Sequence, residues 1–251
     1  MKEYTTEYIR NIALAAHGGA GKTMMAEAFL HFTGATTRLG KVDDGTTVSD
    51  YDEEEIRRKI SLYTSVAPVE FREHKINFLD APGFTDFVGE MISALSVADG
   101  VMILIDSVAG VEVGTELAWN YCDQFKLPRF VVINKMDREN ANFDKAYASV
   151  EAFAHAADKR LVKVQLPWGE KLDFHGVIDL ITMKAYSGDG KTVVEIPAEY
   201  KNAVEEARMT LIEAAAEGED ALLEKYLESG ELTQEELLRG LKDVVLSGAF
   251  I

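Results

Sequence analysis

The sequence predicts an α/β fold, in which a sheet of mainly buried strands has helices on both faces. Three short apolar runs have the length and aliphatic composition of strands, and the last two are continuous enough to be buried on both faces. They lie at residues 12–15, 101–105 and 130–133. Helix-compatible segments lie between them, at residues 24–32, 84–97 and 112–125. This alternation of strands and helices is typical of α/β domains.

Composition narrows the class of protein. The chain has 251 residues, of which 47% are hydrophobic, so it can form one large globular domain or two smaller ones. A net charge of -17 argues against a broad nucleic-acid-binding face, although it suits a basic protein partner. The single cysteine, Cys122, gives neither a disulfide framework nor a zinc site, so we expect a cytoplasmic protein and a core thiol. No apolar run is long enough to cross a bilayer, so we expect no membrane contact.

A glycine-rich turn between the first strand and the first helix predicts a phosphate-binding loop. Its glycines let backbone N–H groups face an anion, and the helix N-terminus adds further donors. The lysine would contact the β- and γ-phosphates, and the threonine hydroxyl would bind Mg²⁺. The loop consists of Ala16, His17, Gly18, Gly19, Ala20, Gly21, Lys22 and Thr23, with alanine where the usual pattern opens on glycine.

Two later segments are candidates for the rest of a phosphate and metal site. Residues 34–61 are polar and weakly periodic, which fits either a disordered surface loop or a switch that orders around a γ-phosphate, with Ser61 as a metal ligand.

Leu62–Phe71 reads as an edge strand because Pro68 removes a ladder donor. A strand at 75–79 then leads into Asp80-Ala81-Pro82-Gly83. Asp80 would hold Mg²⁺ through a water, and the N–H of Gly83 could approach a γ-phosphate.

The turn Asn134-Lys135-Met136-Asp137 follows the buried strand at 130–133 and selects the base. The Asp137 carboxylate can accept two hydrogen bonds from guanine, whereas adenine lacks the exocyclic amine and presents an acceptor at N1. A site built on paired hydrogen bonds rejects an analogue that lacks them by about 10⁴–10⁵-fold. Asn134 would tie this turn to the phosphate loop, and the Lys135 stem would cover the base. The predicted ligand is therefore GTP or GDP.

The C-terminal part predicts a small α+β subdomain. Strands are expected at 160–165, 177–181 and 192–196, and helices at 197–217, 221–227 and 235–246, the last with a capping box of Thr233 and Glu236. The outer helix faces are acidic, which fits either plain solvation or a docking surface. The acidic residues are Glu205, Glu206, Glu213, Glu217, Glu219, Asp220 and Glu224.

In these motifs, the chain resembles the translational GTPases, and within them elongation factor G and its elongation factor G-like variants. The resemblance runs through the whole chain. It includes Arg58 to Leu62 as the end of switch I, Asp80 to Gly83 as switch II, and Gly18-Gly19 of the phosphate loop. It also includes Leu166 to Gly169 and Phe174 to Leu180, which look like the start of the subdomain that elongation factor G inserts into its GTPase domain.

The resemblance implies a P-loop GTPase domain over residues 1–158, followed by an insert subdomain over residues 159–251. It implies GTP hydrolysis with Mg²⁺, with Thr23, Ser61 and Asp80 at the metal. It also implies a monomer that works on the ribosome in translocation or splitting, with its acidic insert facing the basic stalk protein. The last GTPase motif would lie beyond Ile251, so we expect the final strand and helix of the fold to be missing and the chain to be an N-terminal part.

The residue after Gly83 departs from the family. Elongation factor G has a histidine there that positions the attacking water, whereas this chain has Phe84. Gly19 likewise stands in place of the usual aspartate. The catalytic group is therefore unassigned, apart from the Gly83 backbone, and intrinsic turnover is expected to be slow. Two alternatives stay open: a GTP-binding switch with little hydrolysis, and a ribosomal protection protein that displaces an antibiotic.

Overall fold

The computed structural model describes residues 2–190 and 192–248, which form two compact units. The first unit ends at Asn134 and the second begins at Lys135. The domain boundary predicted between residues 158 and 159 falls inside the second unit, and the assignment of residues 159–251 to an insert stays a prediction.

The first unit is built on a five-stranded sheet in the order β2-β3-β1-β4-β5. Strands β1, β3, β4 and β5 are parallel, and β2 pairs antiparallel with β3. Pro68 lies in β2 at the sheet edge, where its missing N–H is tolerated, as predicted. The strands are β1 (Ile9–Ala16), β2 (Ser65–Phe71), β3 (His74–Asp80), β4 (Gly100–Asp106) and β5 (Arg129–Asn134).

Buried aliphatic residues hold the helices of this unit against the sheet. Leu14 of β1 packs in one cluster with Ala26 and Leu30 of the first helix, and Leu104 of β4 is fully buried. Cys122 is buried as expected, and burial raises the pKa of its thiol to about 11. The helices are α1 (Lys22–Phe32), α2 (Glu53–Arg58), α3 (Val88–Ser96) and α4 (Val113–Phe125). The helix predicted from residue 84 thus begins only at Val88, after a 3₁₀ turn over Thr85–Phe87.

The second unit contains a four-stranded antiparallel sheet in the order β6-β7-β8-β9, with helices α5 to α8. One cluster joins the two layers, with Ile178 and Leu180 packed near Leu211 and Leu237. The strands are β6 (Gln165–Trp168), β7 (Gly176–Asp179), β8 (Lys184–Ser187) and β9 (Val193–Val194). The helices are α5 (Phe143–Ala156), α6 (Lys201–Ala216), α7 (Asp220–Ser229) and α8 (Gln234–Leu246).

The strand predicted at 160–165 is wrong over most of its length, because residues 161–164 are not in a strand and β6 begins at Gln165. Val162 and Val164 do pack against the core of the second unit, which explains the strand-like alternation. Residues 161–164 nevertheless belong to none of the strands in the described part of the chain, although the Leu180 N–H donates to the Val164 carbonyl at 3.0 Å. The capping box of Thr233 and Glu236 is present at α8.

The α/β class is confirmed, with a mainly parallel sheet and a separate antiparallel one. Within residues 2–190 and 192–248, none of the helices combines the length and the apolar composition needed to span a bilayer.

Candidate nucleotide-binding site

The predicted phosphate loop connects β1 to α1 in the first unit. β1 ends at Ala16, and α1 begins at Lys22. Gly19 and Gly21 have φ angles of 79° and 104°, in the region that a side chain disfavours, so glycine is required for this turn. The Asn134 side-chain amide donates to the Ala20 carbonyl at 2.9 Å, so the end of β5 is tied to the loop as expected. Its role in base recognition stays a prediction.

Lys22 and Asp80 are the buried charges of this site. Lys22 is 6% exposed and Asp80 is 1% exposed. Burial lowers the pKa of Lys22 to about 8, against the opposing effect of the Asp80 charge. Burial raises the pKa of Asp80 to about 6, although Lys22 and the nearby hydroxyls of Thr23 and Ser49 lower it in part. Neither Asp80 oxygen accepts a hydrogen bond of normal geometry. A buried carboxylate with open acceptor sites is a candidate for holding a cation or its water.

Thr23 and Ser61, the other predicted metal ligands, lie side by side. Their hydroxyl oxygens are 3.2 Å apart, and Ser61 Oγ donates to Asp50 Oδ1 at 2.7 Å. Burial raises the pKa of Asp50, the Ser61 hydrogen bond lowers it, and the charges of Glu55 and Glu27 raise it further. The structure therefore brings the three predicted oxygen ligands into one region, next to an aspartate that the sequence motifs did not single out.

Gly83 and Phe84 lie directly against the phosphate loop. A Cβ on Gly83 would be 2.9 Å from the His17 carbonyl oxygen and 3.0 Å from Gly18 Cα, so only glycine fits. A Cβ on Gly18 would be 3.1 Å from the Phe84 ring, which therefore covers that glycine. Phe84 is nonetheless 41% exposed. The Phe84 ring thus lies beside the phosphate loop, where it can neither donate nor accept a hydrogen bond.

His17 is held by the start of α4, a contact that the sequence did not predict. The Gly114 N–H donates to His17 Nδ1 at 3.3 Å, and His17 Nε2 lies 3.7 Å from Glu112 Oε1. A Cβ on Gly114 would be 2.6 Å from His17 Cα. The acceptor role of Nδ1 places the ring proton on Nε2, facing Glu112. The phosphate loop is thereby braced from the side of α4.

Two buried glutamates fasten residues 34–61 to the unit. Glu27, on α1, is fully buried, and its carboxylate accepts from the N–H groups of Val48 at 2.6 Å and Gly40 at 3.0 Å. Glu55, on α2, is 2% exposed and also accepts backbone N–H bonds. The sequence analysis missed both residues, along with helix α2 and its capping box at Asp52.

Lys135 and Asp137 belong to the second unit. The Arg138 N–H donates to the Lys135 carbonyl at 3.1 Å, which closes a turn, and Lys135 has a φ of 61°. Asp137 is exposed on this turn, so its carboxylate is open to a ligand. Its assignment to guanine rests on the motif.

Comparison with known proteins identifies the family of this chain. Residues 7–241 match the family described as "Elongation factor Tu GTP binding domain". A crystal structure of a protein from Thermus thermophilus is similar, with 38% sequence identity and a TM-score of 0.87. The match covers 97% of this chain and 36% of the Thermus chain, so this chain spans about a third of the length of that protein. The chain therefore belongs to the translational GTPases, in the family of the elongation factor Tu GTP binding domain.

Proposed function

We propose that the chain is the GTP-binding and GTP-hydrolysing domain of a translation factor of the elongation factor G type, which acts on the ribosome in translocation or splitting. The observation that carries the proposal is the buried carboxylate of Asp80, whose pKa the charge of the equally buried Lys22 lowers in part. A structural ion pair would satisfy its own oxygens, whereas both oxygens of Asp80 are left without a normal hydrogen bond. The family supports a cytoplasmic protein, and we propose that it is a monomer.

The residues present fit a Mg²⁺–nucleotide complex. Thr23 and Ser61 supply hydroxyl oxygens and Asp80 a carboxylate, which are the hard donors that Mg²⁺ prefers. The metal would neutralise charge on the phosphate oxygens. Lys22 and the backbone of residues 17–21 would bind the phosphates, and the N–H of Gly83 would contact the γ-phosphate. Asn134, Lys135 and Asp137 would bind guanine.

Thr23→Ala is expected to weaken Mg²⁺-dependent GTP binding by about 10- to 100-fold, because it removes an oxygen donor from the metal. Calorimetric titration of GTP at several Mg²⁺ concentrations measures the change. Thr210→Ala is the matched control, since this exposed threonine on α6 hydrogen-bonds only a carbonyl of its own helix. GTP binding by Thr23→Ala with the parent's Mg²⁺ dependence would refute the metal assignment.

We further propose that the acidic helices of the second unit dock the basic stalk protein of the ribosome. Some of the acidic residues already have partners: Glu217 pairs with Arg160, Glu219 with Arg239, and Glu213 accepts from the Tyr226 hydroxyl. Glu205 and Glu206 are exposed on α6 and are therefore the better test than Glu213 and Glu217.

Reversing Glu205 and Glu206 to lysine is expected to slow association with the stalk protein and to weaken its salt dependence, because the attraction is lost. The free energy of unfolding should hardly change, since exposed charges contribute little. Stopped-flow association measures the rate, and the same reversal at Glu3 and Glu7 of the first unit controls for net charge. Equal rates for the parent and the α6 variant would leave solvation as the role of this face.

The runner-up is a GTP-binding switch that hardly hydrolyses GTP. Phe84 favours it, because the position next to the phosphate loop has no group that could orient water. Turnover measured with ribosomes present separates the two functions.

A further inference from the structure

Glu55 is a buried carboxylate that holds three backbone N–H groups. Its Oε1 accepts from Leu62 at 2.9 Å and from Tyr63 at 3.2 Å, and its Oε2 accepts from Asp52 at 3.2 Å. Burying a charge is costly unless hydrogen bonds compensate it, so these amides are what makes the buried position tolerable. A carboxylate in this position fixes the backbone it binds.

The amides bound to Glu55 follow, in the chain, both partners of the Ser61–Asp50 hydrogen bond. Leu62 and Tyr63 directly follow Ser61, and Asp52 lies two residues after Asp50. One carboxylate therefore ties together the two chain segments whose side chains meet at 2.7 Å. This arrangement sets where the Ser61 hydroxyl lies relative to Thr23, 3.2 Å away.

The neighbouring glutamate, Glu54, makes its ion pairs within the helix. Glu54 faces outward and pairs with both arginines of the helix, Arg57 and Arg58. Glu55 completes the capping box of α2 through Asp52, but its other oxygen reaches past the helix to the segment after Ser61. The hydrogen bonds from Leu62 and Tyr63 do not contribute to the helix cap, which points to a second role for Glu55.

We propose that Glu55 is a positioning residue that holds Ser61 in place for the GTP-bound state. The inference rests on the proposed function, in which Ser61 joins the metal only when a γ-phosphate is present. Removing the Glu55 carboxylate would then free the backbone of residues 61–63 and lower the affinity for GTP. GDP has no γ-phosphate and so does not require Ser61 at the metal. The affinity for GDP should therefore be unchanged. A residue that only stabilised the unit would weaken both nucleotides together.

The test compares Glu55→Ala, Ser61→Ala and the double variant by calorimetric titration with GDP and with a non-hydrolysable GTP analogue, in the presence of Mg²⁺. Each single variant is expected to lose about tenfold in analogue affinity, the order of a hydrogen bond to a charged group, with GDP binding unchanged. The double variant should lose no more than one single variant, because both changes remove the same interaction. Glu54→Ala is the matched control and should bind like the parent.

Glu55→Gln guards against a variant that fails to fold. Glutamine keeps one oxygen for Leu62 and Tyr63 but turns an N–H₂ donor toward the Asp52 N–H. It should therefore weaken the cap of α2 and still regain most of the analogue affinity. Amide hydrogen exchange with the analogue bound gives an independent readout. The amides of Leu62 and Tyr63 should exchange faster in Glu55→Ala than in Glu54→Ala.

The outcomes separate the inference from the proposed function. If Ser61→Ala leaves the ratio of GTP-analogue to GDP affinity unchanged, the metal role of Ser61 fails, and the positioning role fails with it. If Ser61→Ala lowers the ratio but Glu55→Ala does not, the positioning role alone is overturned. The positioning role is also overturned if Glu55→Ala weakens binding of GDP as much as binding of the analogue. It is overturned likewise if the losses of the two single variants add in the double variant.

Discussion

Replacing Asp137 with asparagine is expected to change the preferred base from guanine to xanthine. In the proposed guanine site, the carboxylate of the parent would accept two hydrogen bonds, from N1–H and from the exocyclic amine of guanine. Asparagine presents an N–H₂ group to that amine, so two donors would face each other. Xanthine has a carbonyl at the same place, which an amide donor can bind. Sites of this kind discriminate by about 10⁴–10⁵-fold, which makes this one of the largest effects expected of any substitution in the chain.

Calorimetric titration of GDP, XDP and ADP against the parent and Asp137→Asn measures this preference. The parent should bind GDP far more tightly than ADP, and the variant should bind XDP more tightly than GDP. Asp144→Asn makes the same exchange in the first turn of α5, seven residues along the chain, and should leave the order of affinities unchanged. Equal affinity of the parent for GDP and ADP would refute the assignment of Asn134 and Asp137 to guanine.

The sheet of the first unit could be predicted because its strands carry an unambiguous pattern. Residues 101–105 are continuously apolar, and Ile103 and Leu104 are fully buried in β4. The same criterion failed at 160–165, where alternating valines face a core without joining a ladder. Apolar spacing reports which side chains are buried, whereas ladder pairing depends on partners that are distant in the chain.

Helix α5 was not predicted, although its signal is present in the sequence. Asn142 caps it by accepting from the Lys145 N–H at 2.8 Å, and Ala146, Val150 and Ala154 form its buried stripe at helical spacing. Two of these three are alanines, which give a weak apolar signal. The cap would have located the helix start, and the stripe its buried face.

Motifs identified the residues that we propose contact a ligand, and missed the buried glutamates whose carboxylates bind the backbone of the neighbouring segments. The strand–loop–helix pattern fixes Lys22 and Thr23, and Asp80 ends the strand β3, which pairs in parallel with β1. Glu55 stands in a run of three glutamates that reads as a solvated helix end. Nothing local distinguishes the glutamate that turns inward, because its partners are backbone amides elsewhere in the chain.

Replacing Phe84 with histidine is expected to accelerate hydrolysis of bound GTP by about 10²-fold or more, the usual contribution of a positioned acid–base group. Phe84 covers Gly18 of the phosphate loop, so a side chain at this position is already close to where the γ-phosphate would lie. Its surroundings are apolar, with Ala16, Val88 and Met91 among the residues lining the adjacent crevice. Histidine is of comparable size and brings a donor and an acceptor, so it could orient a water that phenylalanine cannot.

Single-turnover hydrolysis of GTP by the parent and Phe84→His, with and without ribosomes, measures this gain. Nucleotide affinity should stay the same, because Lys22, Thr23 and Asp80 are untouched. Phe84→Leu controls for loss of the ring, and Phe71→His places the same residue on an exposed position of β2, away from the loop. Neither control should accelerate the reaction. The competing explanation is that backbone groups or the ribosome position the water without a side chain. In that case histidine gives no gain in either condition, Phe84 does not limit the chemistry, and the switch with slow hydrolysis loses its physical basis.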